Sequence, residues 1–151
     1  MLIESLTVAA LLGAGTTAGV LFGVAVSVVP ALRDMPPGRY VETHQLLGRH
    51  WDPLMPVIVL GTTAVDVALS LLAGDLTSRV LFGLAAALLF ASSMVSHLLN
   101  VPLNRQVKKL DPALPIPSGW QDPRPAWRRW HTLRTLLALA AFTLTTLATV
   151  T

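Results

Sequence analysis

The stretch LTVAALLGAGTTAGVLFGVAVSVVPAL, Leu6–Leu32, contains no charged residue and is built largely from Leu, Ala, Val and Gly. A bilayer core asks for about 20 consecutive apolar residues in a helix, so this run is long enough to cross a membrane. Glu4 is the only charged side chain ahead of it. A cleaved signal peptide starts basic and has a short apolar core, and the run therefore reads as a permanent span. Three further apolar runs follow, at about 54–73, 80–100 and 131–150. The whole chain of 151 residues agrees, with 53% hydrophobic and 13% charged side chains and a mean hydropathy of +0.63. Soluble domains carry roughly 25% charged residues, so a water-soluble globule is excluded. The expected fold class is all-α: one integral-membrane four-helix bundle covering 1–151.

The connections differ in character. Gly74 to Ser78 is a tight turn that makes the second and third spans antiparallel neighbours. Asp52-Pro53 suits a helix start, with Asp as cap and Pro in the first turn. The segment Arg105 to Arg129 holds Pro112, Pro115, Pro117, Pro123 and Pro125 and reads as a kinked connection. Of the 11 Lys and Arg residues, 10 follow the first and third spans, and only Arg79 lies at the opposite end. The positive-inside rule makes loops 33–53 and 101–130 cytoplasmic and puts both termini on the non-cytoplasmic side, in a plasma or inner membrane. The net charge of +3 flanks apolar runs instead of interleaving with aromatics, so the expected partners are membrane lipid and not nucleic acid. With no cysteine, thiolate nucleophiles, disulfides and iron–sulfur clusters are excluded.

This topology puts all four histidines at one end, with His44 and His50 in the first basic loop, His97 near the end of the third span and His131 at the start of the fourth. His97, Asn100 and Asn104 are spaced by three and four residues and share a face if the helix continues through Pro102. Trp127, His131 and Arg134 do the same at four and three. A metal site of His44, His50, His97 and His131 is one reading, suited to copper, iron or zinc. Helix caps and headgroup contacts are the other. The spacing matches no short metal motif, and a haem between helices is a further, weaker option. Asp66, near the middle of the second span, either handles protons or substrate or bonds to Ser or Thr of a neighbouring span and sets register. Arg134 either binds an anionic group or snorkels to headgroups. Trp51, Trp120, Trp127 and Trp130 read as interfacial anchors. The ladder Gly15, Gly19, Gly23, together with Gly13, favours close helix packing and homo-oligomer formation.

Asn100-Val101-Pro102-Leu103-Asn104-Arg105, a Pro-rich loop, then Trp127-Arg128-Arg129-Trp130-His131-Thr132-Leu133-Arg134-Thr135 leading into Leu136 and Phe142 resemble the small four-span membrane family that includes the anthrone oxygenases. The first span, closing on Pro30-Ala31-Leu32, is also similar. The resemblance implies a membrane four-helix bundle that oxidises polycyclic aromatic ketones to quinones with molecular oxygen. The matching positions are Asn100, Asn104, His131 and Arg134.

Together these readings set an expectation of a membrane oxidoreductase acting on a lipophilic aromatic or polyketide-type substrate. His131 or His97 removes a proton, while Arg134, Asn100 and Asn104 stabilise the resulting anion. The reaction proceeds either without a cofactor or with a metal held by the histidines. A non-enzymatic scaffold or small-molecule carrier is the alternative.

Overall fold

The computed structural model describes residues 1–49 and 53–151. The described residues form α1 (Leu2–Asp34), α2 (Pro37–Leu47), α3 (Leu54–Leu72), α4 (Leu76–Lys108) and α5 (Arg124–Ala148), with no strand among them. Four of these helices, α1, α3, α4 and α5, are long and apolar enough to cross a membrane. The chain is thus an integral-membrane four-helix bundle. Its helices outrun the apolar runs: α4 continues past Asn100 to Lys108, and α5 begins at Arg124, well ahead of His131. Part of what reads in sequence as connection is therefore helix, including all of α2.

Pro56 and Pro125 sit in the first turns of α3 and α5, whereas Pro30 and Pro102 lie in the interior of α1 and α4, and both interior prolines are accommodated in the same way. Proline donates no backbone hydrogen bond, and its ring collides with the carbonyl four residues earlier. A wide π turn precedes each: Val24–Val28 ahead of Pro30 and Ser96–Asn100 ahead of Pro102. There the Val29 amide donates to the Val24 carbonyl and the Val101 amide to the Ser96 carbonyl. Each extra residue rotates the following helix face by about 100° relative to an uninterrupted α-helix.

Each spanning helix packs on two neighbours, in the cyclic order α1, α3, α4, α5. Between α3 and α4 the chain turns within a few residues. The Asp75 carboxylate accepts from the Ser78 amide at 2.8 Å, and Arg79 Nε donates to the Ala73 carbonyl at 2.9 Å. These contacts satisfy the start of one helix and the end of the other. The bundle axis is lined by small residues, among them Ala10, Ala14, Ala85 and Ala141, while Leu12, Phe22, Leu71, Leu84 and Phe90 face outward. Lipid offers little hydrophobic drive for helix association, so backbones approach closely through small residues. Of the glycine ladder, Gly13 lies directly against Thr62 of α3 and Gly15 against the Phe142 ring of α5, whereas Gly19 and Gly23 meet no neighbour.

A second core closes one end of the bundle. Leu32, Tyr40, Val41 and Val107 are buried together, with Ile116 and Trp120 packed against them. Gln45 Nε2 of α2 donates to the carbonyls of Val107 and Leu110, at 3.0 and 2.8 Å. Arg124 Nη1 donates to the carbonyls of Leu32, Arg33 and Met35, at 3.2, 3.1 and 2.6 Å. The exits of α1 and α4, the entry of α5 and the whole of α2 are thereby tied into one cap.

The Gly13 contact generates a test. Gly13→Ala places a methyl group into the Thr62 side chain and is expected to lower stability by about 1–3 kcal/mol, as overpacking does. Gly19→Ala, which meets nothing, leaves it unchanged. Unfolding midpoints of both variants in one mild detergent check this, and Thr62→Ala restores the Gly13→Ala protein.

Candidate functional site

The capped end of the bundle contains a connected set of polar and aromatic side chains centred on Trp127. Trp127 and His131 are one helical turn apart on α5, and their rings stack nearly parallel, 2° apart in plane with centroids at 4.9 Å. His131 is fully buried. Its Nε2 lies 3.0 Å from the Leu21 carbonyl of α1, an acceptor only, so Nε2 carries the proton. Nδ1 then holds the lone pair and accepts from Arg134 Nε at 3.1 Å and from Nη2 at 2.9 Å. Arg134 Nη1 reaches the Ser96 hydroxyl of α4 at 3.1 Å, and the guanidinium lies 5.9 Å from the Trp127 ring centroid. Arg134 turns inward and does not snorkel to headgroups. The Ser92 hydroxyl donates to the Arg134 carbonyl at 3.0 Å, so α4 and α5 are tied at the same level.

On the other side of Trp127 the same reasoning fixes a second histidine. Trp127 Nε1 can only donate, and it lies 2.8 Å from Asn104 Oδ1. That sets the orientation of the Asn104 amide. His44 Nε2 is 3.2 Å from the same oxygen and must therefore donate to it. The neutral His44 ring keeps its Nδ1 lone pair. Burial, reinforced by the Lys108 charge, holds the His44 imidazole below its ordinary value near 6.5, against the opposing effect of the Asn104 hydrogen bond. His44 meets Trp127 edge-on at 5.9 Å and Tyr40 at 5.3 Å. Asn100, fully buried, donates from Nδ2 to the Trp127 carbonyl at 3.2 Å, and its Oδ1 has no partner among the described residues.

Sequence-predicted residues thus divide. Asn100, Asn104, His131 and Arg134 come together around Trp127, and His44 joins them from α2. His97 does not: it is exposed on α4 while Asn100 is buried. The π turn at Ser96–Asn100 interrupts the three-and-four spacing that was expected to align them. His50 lies outside the described residues, as does Trp51. Of the expected four-histidine metal shell, His50 lies outside the described residues, and among the described residues no three His, Asp or Glu side chains converge. Both ring nitrogens of His131 are already committed, which also removes it as a haem or metal ligand in this arrangement. Asp66 is fully buried beside Thr145 of α5, remote from this end, and neither its carboxyl oxygens nor the Thr145 hydroxyl finds a hydrogen bond among the described residues. Trp127, expected as an interfacial anchor, instead joins both histidines.

Next to this network lies a pocket of about 180 Å³ between the end of α1, α2 and the start of α5, with Tyr40, Trp127, Arg124 and Arg128 in its wall. Trp127 belongs to both. Tyr40 escaped the sequence reading, although its spacing of four from His44 places both on one face of a helix. Asp122 and Arg124, paired at 2.7 Å, carry no local signal of their own. The Arg124 pair holds the Asp122 carboxyl below the usual range. Burial, reinforced by the Asp122 carboxylate, pushes the Tyr40 phenol up to about 12, so it stays protonated at neutral pH.

A family model described as anthrone oxygenase matches residues 45–144. The match covers most of the chain, including Asn100, Asn104, Trp127, His131 and Arg134, and the protein belongs to the anthrone oxygenase family. No curated protein and no solved structure matches the chain significantly.

The His44 environment sets a pH dependence. The folded chain holds this imidazole neutral below the pH at which the unfolded chain, near 6.5, takes up a proton. Its contribution to stability is full above that value and is lost as pH falls through it. Thermal unfolding in detergent between pH 7.5 and pH 5.5 is expected to show falling stability on acidification, with a shallower slope in His44→Gln. An unchanged slope in the variant rules out His44 as a source.

Proposed function

We propose that this protein is a membrane oxidoreductase of the anthrone oxygenase kind, with its basic end toward the cytoplasm. Its substrate is a lipophilic polycyclic aromatic ketone whose activated CH2 group becomes a second carbonyl. In the balanced reaction the carbon gives four electrons to one O2. One oxygen atom stays as the new C=O and the other leaves as water with the two hydrogens of the CH2 group. The residues need first to break a C–H bond, because the delocalised anion reacts with oxygen where the neutral ketone does not.

One observation carries the assignment of roles: of the two buried histidines among the described residues, His44 and His131, only His44 has an uncommitted ring nitrogen. His44 takes the proton on Nδ1, in place of the expected His131 or His97, while Asn104 holds its other nitrogen and thereby its tautomer. Burial keeps it neutral, as a base must be. Trp127 and Tyr40 provide the aromatic walls against which the substrate stacks, and the His44 ring, outside that lining, packs against both at 5.9 and 5.3 Å. His131, Arg134 and Asn100 are positioning residues: His131 stacks on the Trp127 ring, Arg134 holds His131, and Asn100 holds the Trp127 backbone. Among the described residues no three His, Cys, Asp or Glu side chains converge as a metal ligand set.

The test is oxygen uptake with anthrone in lipid nanodiscs, followed together with quinone absorbance. The protein is expected to accelerate both in a one-to-one ratio over empty nanodiscs. His44→Gln slows turnover about 100-fold, the scale of a lost general base, with its unfolding midpoint at pH 7.5 retained. A rate no higher than that of empty nanodiscs favours the carrier or scaffold reading. Wild-type turnover in His44→Gln removes that residue from the chemistry.

A further inference from the structure

The pocket beside Trp127 has an unbalanced charge. Three arginines line it: Arg33, Arg124 and Arg128. Arg33 is paired with Asp34 at 2.9 Å and Arg124 with Asp122 at 2.7 Å. Arg124 also spends its Nη1 on three backbone carbonyls at the end of α1 and lies over the Tyr40 ring at 5.0 Å. Arg128 is different. No carboxylate pairs with it among the described residues, and it makes no cation–π contact, unlike Arg129, which lies over Trp130 at 5.0 Å. One uncompensated guanidinium therefore borders a pocket whose other walls include Val29, Leu32 and the Trp127 ring.

Tyr40 adds a second polar feature. Its ring is buried, it lines the same pocket, and no hydrogen bond to its hydroxyl occurs among the described residues. A proton donor and the exposed Arg128 guanidinium thus border one cleft, whose Asp122 carboxylate is taken up by Arg124, an arrangement that recognises a single anionic oxygen on an otherwise apolar body. The volume, about 180 Å³, exceeds the roughly 150 Å³ of a cavity that accepts benzene. An aromatic ring with its substituent fits, and further rings extend through the open side.

We infer that this pocket binds an aromatic anion, an aryl carboxylate or phenolate, with its rings against Trp127 and its charged oxygen shared by Arg128 and the Tyr40 hydroxyl. The inference rests on the proposed oxidation only in making this ligand the substrate; the binding itself does not require turnover. A lipid phosphate has the same anionic oxygen but lacks the ring that the Trp127 and Tyr40 walls favour. An anionic group also sets depth, because it holds an amphiphile at the membrane interface, the level at which the capped end of the bundle lies.

The probes are 2-naphthoate and its methyl ester, titrated by fluorescence into the full chain in phosphatidylcholine nanodiscs, with empty nanodiscs subtracted. The acid is expected to bind about tenfold more tightly than the neutral ester, the scale of one charge-assisted contact. Arg128→Gln brings the two affinities together without weakening the ester, and Tyr40→Phe weakens the acid alone. Equal affinities in the wild type, or an unchanged ratio in Arg128→Gln, overturn the inference. So does loss of naphthoate binding when phosphatidylglycerol replaces a quarter of the lipid, which assigns the pocket to headgroups. Charge-selective binding in a protein that never consumes oxygen supports this inference while removing the oxidation reading, and turnover without charge preference does the reverse.

Discussion

The hydrogen bond from His131 Nε2 to the Leu21 carbonyl fixes the proton inventory of the whole polar end. Once that proton is placed, Nδ1 must accept, Arg134 must donate, and the arginine is drawn from the headgroups into the bundle. The stack of His131 on Trp127 then fixes the indole, whose Nε1 orients Asn104, whose oxygen in turn orients His44. Four elements, α1, α2, α4 and α5, are linked through five side chains. In a low-dielectric interior an unpaired polar group costs far more than in water, so the network holds as a unit.

The carbonyl that starts this sequence lies beside an irregular turn of α1. Leu21 lies just ahead of the π turn of α1, where the ladder changes register to admit Pro30, and the Val24 amide already bonds to both the Leu21 and Val20 carbonyls. A carbonyl oxygen has two lone pairs, and the second serves His131 and, at 3.5 Å, the Thr135 hydroxyl. The matching π turn in α4 moves Asn100 inward and His97 outward. Both irregularities lie beside the polar cluster, where π turns are commonly found to serve function.

The two ends of the protein use different means of cohesion. Through the membrane the bundle is held by small residues in close contact, with Gly13 directly against Thr62. At the capped end it is held by directed bonds from Gln45 and Arg124 to helix-terminal carbonyls. Trp127 stands at the boundary between that cap and the network, one indole serving as pocket wall, hydrogen-bond donor and stacking partner. Pocket and network are thereby mechanically joined through that indole.

The uncharged run Leu6–Leu32 and its three successors by themselves determined the number of spans and the all-helical fold, because lipid leaves a helix as the one conformation in which such a segment satisfies its own backbone. The spacing of Trp127, His131 and Arg134 likewise put those three on one face, since α5 is an uninterrupted helix. That logic failed for His97 and Asn100, where a π turn driven by Pro102 breaks the period that spacing arguments assume. Tyr40 and His44 share a legible helical face, yet nothing local says that α2 folds back over the bundle. Only the tertiary structure decided which ring nitrogen is free, which arginine is unpaired and which tryptophan leaves the interface. Each of those depends on a partner from a distant segment, such as Leu21 for His131, Asn104 for His44 or the Leu32 carbonyl for Arg124, and hydrogen-bond direction exists only once both partners are in place.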